Sequence, residues 1–163
     1  MSATNRGAKR VASDFYPTPL ESFTPLLPYL HMLPQPIWEP ACGDRRLIDA
    51  MKADGLDNTM GSDLSVGYDF LKDDIQYQTI LTNPPFSLAQ QFCEHAINHS
   101  KCAVLLLRLN FLGSKKRKLW WQDNEPGAIF VLSSRPDFTG EGGDACEYGW
   151  FVWGGPFRGI YHL

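Results

Sequence analysis

Apolar positions in this chain fall alternately into short uninterrupted runs and into helically spaced sets. Residues 103–107 and 128–132 are continuously apolar, and Thr79-Ile80-Leu81-Thr82 is a shorter run edged by threonines. Runs without polar alternation predict strands of a sheet covered on both faces. Residues 147–153 predict another strand, paired as a hairpin with 128–132 through the loop 133–145. Between the runs, Leu47, Ile48 and Met51 recur at helical spacing. So do Leu88, Phe92, Ala96 and Ile97, as the inner side of a helix capped by Ser87 and running to about His99. A further helix is predicted to start near Leu20. Strands alternating with helices predict an α/β fold with a mostly parallel sheet.

The run ending at Thr82 leads straight into Asn83-Pro84-Pro85-Phe86. Proline fixes its own φ and keeps the preceding residue out of the helical region. Asn83 and Pro84 are therefore held extended, with the Asn83 side-chain oxygen and the Pro84 carbonyl as acceptors at fixed spacing. An exocyclic amine on a nucleobase offers two hydrogens to such a pair, and a flat ring on which Phe86 can stack. The amine nitrogen is a poor nucleophile because its lone pair is delocalised into the ring. Accepting both of its hydrogens draws it towards tetrahedral geometry, so transfer to it rests on positioning and electrostatics. A mere turn is the bland reading, since Asn-Pro often starts one.

Upstream, Pro36-Ile37-Trp38 leads into Glu39-Pro40-Ala41-Cys42-Gly43-Asp44 and then the helix carrying Leu47. A strand, a tight small-residue turn and a helix start form a nucleotide-binding unit, the glycine permitting close backbone approach. Asp63 stands about 20 residues beyond Gly43, where an acidic side chain accepts ribose hydroxyls. Asp14-Phe15-Tyr16-Pro17-Thr18-Pro19 precedes the first strand, and Asp69-Phe70-Leu71 follows Asp63.

In this order, over nearly the whole chain, these motifs resemble those of small phage-type adenine-N6 DNA methyltransferases. The resemblance implies a Rossmann-like class I methyltransferase sheet, S-adenosylmethionine as cofactor and DNA as partner. It also implies catalysis by Asn83, Pro84, Pro85 and Phe86, with Asn83 contacting the cofactor as well. Phe15, Tyr16, Pro17 and Thr18 would lie at the methionine end of the cofactor. Glu39, Ala41, Cys42 and Gly43 would line its methionine and ribose, and Asp63 would hold the ribose. Asp69 would accept from the cofactor adenine amine, and Phe70 would donate its backbone N–H. The chain departs from the pattern at Arg45, where another glycine is usual. Only residues 64–68 separate Asp63 from Asp69, too few for a parallel crossover, so the sheet is expected to be abbreviated after its second strand.

At 163 residues the chain is expected to form a single methyltransferase domain over 14–163, preceded by a mobile polar arm over 1–13. No apolar run reaches membrane-spanning length, and no signal-like apolar segment opens the chain, so a cytoplasmic setting is expected. The four cysteines lack paired spacing, so neither a zinc site nor a disulfide framework is expected. His95 and His99 read as a solvated helix face.

A net charge of −3 is unusual for a nucleic-acid binder, so local charge decides. Lys115, Lys116, Arg117 and Lys118 form a basic run just after a strand, followed by Trp120 and Trp121, which read as packing residues. The run is a candidate phosphate contact, with a solvated helix start as the plain alternative. Arg135 opens the polar, glycine-rich segment 135–144, and is a further nucleic-acid candidate. RNA adenine, a protein glutamine amide, or a non-catalytic cofactor-binding subunit are the competing readings. With no insert large enough for a separate target-recognition domain, a second copy or another protein is expected to assist recognition.

Overall fold

The computed structural model describes residues 16–163; the polar arm and Phe15 lie outside the described residues. Seven strands form one sheet: β1 (Ile37–Glu39), β2 (Thr59–Gly61), β3 (Tyr77–Thr82), β4 (Ser100–Arg108), β5 (Ala128–Val131), β6 (Tyr148–Gly154) and β7 (Gly159–His162). Their order is β2-β1-β3-β4-β6-β5-β7. The first four strands run parallel, β6 lies antiparallel between β4 and β5, and β7 is parallel to β5.

The uninterrupted apolar run 103–107 has a simple cause: β4 feeds two cores. Side chains alternate across a sheet. Cys102, Val104 and Leu106 enter one core, with Leu47, Ile48 and Met51 of α2 (Arg46–Ala53). Ala103, Leu105 and Leu107 enter the other, with Phe92, Cys93 and Ala96 of α3 (Ala89–His99). Trp120 and Trp121, on α4 (Lys118–Asp123), pack against this second core.

Several sequence expectations are corrected. The helix expected near Leu20 is two 3-10 turns, Leu20–Ser22 and Thr24–Leu26, leading into the short α1 (Leu27–Leu30). Pro25 and Pro28 each lack the N–H that a continuing helix needs. Ser87 does not cap α3; it lies inside the 3-10 turn Phe86–Leu88, and the helix begins at Ala89. Pro85 is held extended, and its carbonyl accepts from the Leu88 N–H at 2.9 Å, which closes the tighter turn first. Leu88 is consequently 36% exposed, and Cys93 takes an inner position.

The hairpin of β5 and β6 forms as expected. Strand β7 went unread, because its four residues lie at the sheet edge with little burial pattern. The chain turns towards it through Gly154, at φ 69°, where a Cβ would stand 2.1 Å from the Lys101 carbonyl oxygen.

The sheet is abbreviated beyond β2. Residues 64–76 contain two 3-10 turns, Leu64–Val66 and Phe70–Lys72, and no strand. Aromatic packing fills that flank: Trp38 stacks on Tyr77 at 3.8 Å, and the hydroxyls of Tyr68 and Tyr77 both donate to Asp73. Among the described residues no helix is long and apolar enough to cross a membrane, no group of metal-ligating side chains forms, and the four cysteines are free.

Candidate active site

The carboxyl ends of β1, β2 and β3 open on one cavity of about 570 Å³. In open α/β sheets this is where ligands bind. Its lining includes Tyr16, Pro17, Thr18, Glu39, Ala41, Cys42, Gly43, Asp63, Asp69, Phe70 and the whole Asn83–Phe86 motif. Every described catalytic and cofactor candidate from the sequence is thus brought together. Tyr68, Leu64, Leu71 and Phe92, to which the sequence assigned no role in the site, also line the cavity.

The turn after β1 is built by backbone geometry. Ser62 N–H donates to the Glu39 carbonyl and Cys42 N–H to the Ser62 carbonyl, both at 3.0 Å, which binds the loops after β1 and β2 together. Gly43 has φ 47°, and its N–H donates to Asp63 Oδ2 at 3.0 Å. Asp63 Oδ1 accepts from the Ser65 N–H at 2.8 Å. Burial pushes the Asp63 pKa up, but hydrogen bonds from Ser65 and Gly43 outweigh it and hold the carboxyl below its ordinary value. Asp63 therefore shapes the glycine turn as well as facing the cavity.

Arg45 adopts φ 67° and ψ 7°, the one non-glycine in the left-handed region among the described residues. The turn keeps the conformation that favours glycine, and the exposed arginine side chain does not line the cavity. Arg45→Gly is expected to raise stability by roughly 1 kcal/mol. The denaturant midpoint should rise with an unchanged slope, and cofactor affinity should stay within about two-fold.

Glu39 is the most constrained charge of the site. It is 3% exposed, and its Oε2 is buried without a hydrogen-bond partner. Burial pushes its pKa well above 4.5, the nearby Asp44 and Asp63 carboxylates add to this, and Arg45 opposes it. The adjoining Cys42 thiol is likewise raised, by burial first and by Glu39 and Asp63 next.

At the end of β3, Asn83 Nδ2 donates to the Tyr16 carbonyl at 3.2 Å, while Asn83 Oδ1 is buried without a partner. That donation fixes the amide's orientation and leaves its oxygen as a free acceptor. Phe86 stacks with Tyr16, centroids 5.3 Å apart at 22°, and carries the Arg108 guanidinium 4.6 Å from its ring centre. Tyr16 thus serves the Phe86 side of the cavity as well as the N-terminal edge. Nothing local in the sequence singles out Arg108, which simply follows the apolar run 103–107.

Asp69 Oδ1 accepts from the Leu71 N–H at 3.2 Å, and its Oδ2 pairs with Lys72 at 2.9 Å. Phe70 is 3% exposed, packed on Trp38, Phe92 and His95 at the cavity floor. The nucleic-acid candidates lie elsewhere. Lys115 and Lys118 border a second, open cavity of about 560 Å³ with Ser114 and Trp121. Lys116 is exposed, whereas Arg117 donates to the Phe111 carbonyl at 2.9 Å and covers the Phe111 ring. Arg135 is ion-paired with Glu147.

No protein-family model matches the chain, and no curated protein sequence matches it. Solved structures do. A chain assigned as an RNA methyltransferase from Pyrococcus horikoshii is similar with TM-score 0.60 at 13% identity, over 92% of this chain and 93% of that one. A chain assigned to the class I S-adenosylmethionine-dependent methyltransferases from Listeria monocytogenes gives TM-score 0.65 at 12% identity, over 94% and 67%. A type I restriction-modification methyltransferase subunit from Streptococcus thermophilus gives 0.54 at 12%, over 88% of this chain and 45% of that one. The fold is that of the class I S-adenosylmethionine-dependent methyltransferases.

Proposed function

We propose that this protein transfers a methyl group from S-adenosylmethionine to an exocyclic amine, and that the amine is adenine N6 in DNA. The observation that carries the reading is Asn83 Oδ1, a buried acceptor without a partner on a residue that lines the cavity with Phe86. Buried acceptors are rarely left unsatisfied, so an orphan at a cavity wall marks where a ligand donor goes.

The residues present fit the cofactor. The cavity has the volume of a small-molecule site. Glu39 Oε2, buried and unpaired, suits a cationic group, Asp63 faces the cavity as a carboxylate for ribose, and Asp69 stands ready for an adenine amine. When bound, the cofactor supplies an electrophilic sulfonium methyl. The chain's own part is positional. Asn83 Oδ1 and the Pro84 carbonyl accept the two amine hydrogens and expose the nitrogen lone pair, and Phe86 packs against the base. The amine proton becomes acidic only after the new N–C bond forms, so a neutral amide suffices to guide it towards solvent.

Nucleic acid is favoured over a glutamine side chain by Phe86, which suits a flat base, and by the exposed lysines around the second cavity. RNA adenine is the second reading, supported by the likeness in fold to the Pyrococcus chain. Labelled-methyl transfer by the purified protein to duplex DNA, single-stranded DNA and RNA tests all of this. Methyl in DNA adenine N6 is the expected product. Label only in RNA would move the substrate, and no label in any nucleic acid would sink the reading.

Replacing Lys115, Lys116 and Lys118 with alanine is expected to weaken nucleic-acid binding alike for all sequences. The slope of log affinity against log salt should flatten by roughly 0.9 per lost duplex phosphate contact. An unchanged slope would mark the run as a solvated face.

A further inference from the structure

We propose that Arg108 is a positioning residue. Clamped by Asp144 and Tyr148, it holds the plane of Phe86 and ties the loop between β5 and β6 to the target-amine site. The inference rests on the proposed function for its catalytic consequence but not for its structural one.

Arg108 ends β4 and pairs in register with Tyr148, the first residue of β6. Its Nε donates to the Tyr148 hydroxyl at 2.8 Å, and one terminal nitrogen donates to Asp144 Oδ2 at 3.0 Å. The Tyr148 hydroxyl donates to the same Asp144 oxygen at 2.7 Å, closing a triangle. Tyr148 is fully buried, so one corner of the triangle is fixed in the core. Burial raises the Asp144 pKa, but Tyr148 and Arg108 together hold it below its ordinary value, so the ion pair persists at neutral pH.

Arg108 is thereby denied free rotation, and its guanidinium stays over Phe86. A cation over an aromatic face attracts the ring. Phe86 is thus held from the sheet side by Arg108 and meets the loop at Phe138, centroids 5.7 Å apart at 79°. The loop is itself a bonded unit. Asp137 accepts from the N–H groups of Thr139, Gly140 and Gly142, and the Asp144 N–H donates to the Pro136 carbonyl at 2.8 Å. Its two inward anchors, Phe138 and Asp144, both land on the Phe86–Arg108–Tyr148 group.

A base that enters the cavity beside Phe86 is placed by where that ring stands, and its amine must then meet Asn83 Oδ1 in the same motif. Misplacement of about 1 Å in such a geometry costs on the order of 10²-fold in rate. Loop docking and base placement are coupled through the Arg108 guanidinium, with the Phe138 ring as the second contact between loop and Phe86.

Two measurements test this. In the cofactor-free protein, Arg108→Met is expected to speed amide hydrogen exchange over residues 137–146 by about 10-fold or more, while β4 and α3 keep their protection. Asp144→Asn, which leaves the sheet residue intact, should do the same if Arg108→Met folds poorly. In transfer assays, Arg108→Met should lower kcat by roughly 30–100-fold with the cofactor KM within about two-fold, and Arg108→Lys should recover part of it. In a Phe86→Ala background the same Arg108→Met change should cost less than about 3-fold, because the ring through which it acts is gone. Unchanged exchange in both loop-joint variants overturns the proposal, and so does a full kcat cost in the Phe86→Ala background. Wild-type protein that methylates neither DNA nor RNA sinks the proposed function instead, and the exchange arm alone then decides.

Discussion

Asn83→Ala is expected to lower methyl transfer by about 10²–10³-fold or more, while cofactor affinity should stay within a few-fold. The magnitude follows from removing one of the two acceptors proposed to hold the reacting nitrogen, since loss of a single preorganised group costs about 10²–10³-fold. Affinity is spared because the glycine turn and Asp63 follow β1 and β2, not β3. Asn83→Asp separates the two jobs of the amide. It keeps an acceptor at the oxygen position but loses the Nδ2 donation and sets a carboxylate against the Tyr16 carbonyl. It should lie between wild type and alanine in rate, with the Tyr16–Phe86 stack disturbed. Calorimetric titration alongside the transfer assay checks both variants. Loss of cofactor binding in Asn83→Ala would overturn this division of labour.

Glu39→Gln should change the free protein and the cofactor complex in opposite directions. The folded-state pKa of Glu39 is raised well above 4.5, chiefly by burial. Its stabilising contribution is therefore complete below the unfolded value and is lost as pH rises through the folded one. Within that window, wild-type stability falls by about 1.4 kcal/mol per pH unit relative to a side chain that cannot ionise. Glu39→Gln should thus outlast the wild type increasingly from about pH 4.5 upward, in denaturant titrations of cofactor-free protein.

Cofactor binding should move the other way. A carboxylate facing a cationic ligand makes a charge-assisted contact worth about 1.5–3 kcal/mol, so glutamine should weaken affinity roughly 10–150-fold. Binding to the wild type should also release a proton, visible as a heat that varies with buffer ionisation enthalpy and vanishes in Glu39→Gln. Equal heats in all buffers would place Glu39 already ionised in the free protein, and would remove it as the counter-charge.

Much of the architecture was legible because it is encoded locally. The runs 103–107 and 128–132 had to be strands, and they are β4, which feeds both cores, and β5, whose Ala128 and Phe130 enter one core while its other face is half-buried. The five residues between Asp63 and Asp69 excluded a crossover, and the sheet does stop at β2. The candidate site was legible for the same reason: its residues sit in short motifs at strand ends, which the parallel topology gathers at one edge.

Other features depend on distance in space and have no local signature. The Asn83 amide reaches the Tyr16 carbonyl across 67 positions, and Arg108 reaches Asp144 across 36. Strand β7 exists because β5 offers it an edge. The unpaired oxygen of Glu39 reflects what surrounds the end of β1, which nothing in Glu39-Pro40-Ala41 foretells. Periodicity and turn chemistry report each residue's own conformation. Which distant side chains share a hydrogen bond is set by strand register and packing, and these arise only when the whole sheet closes.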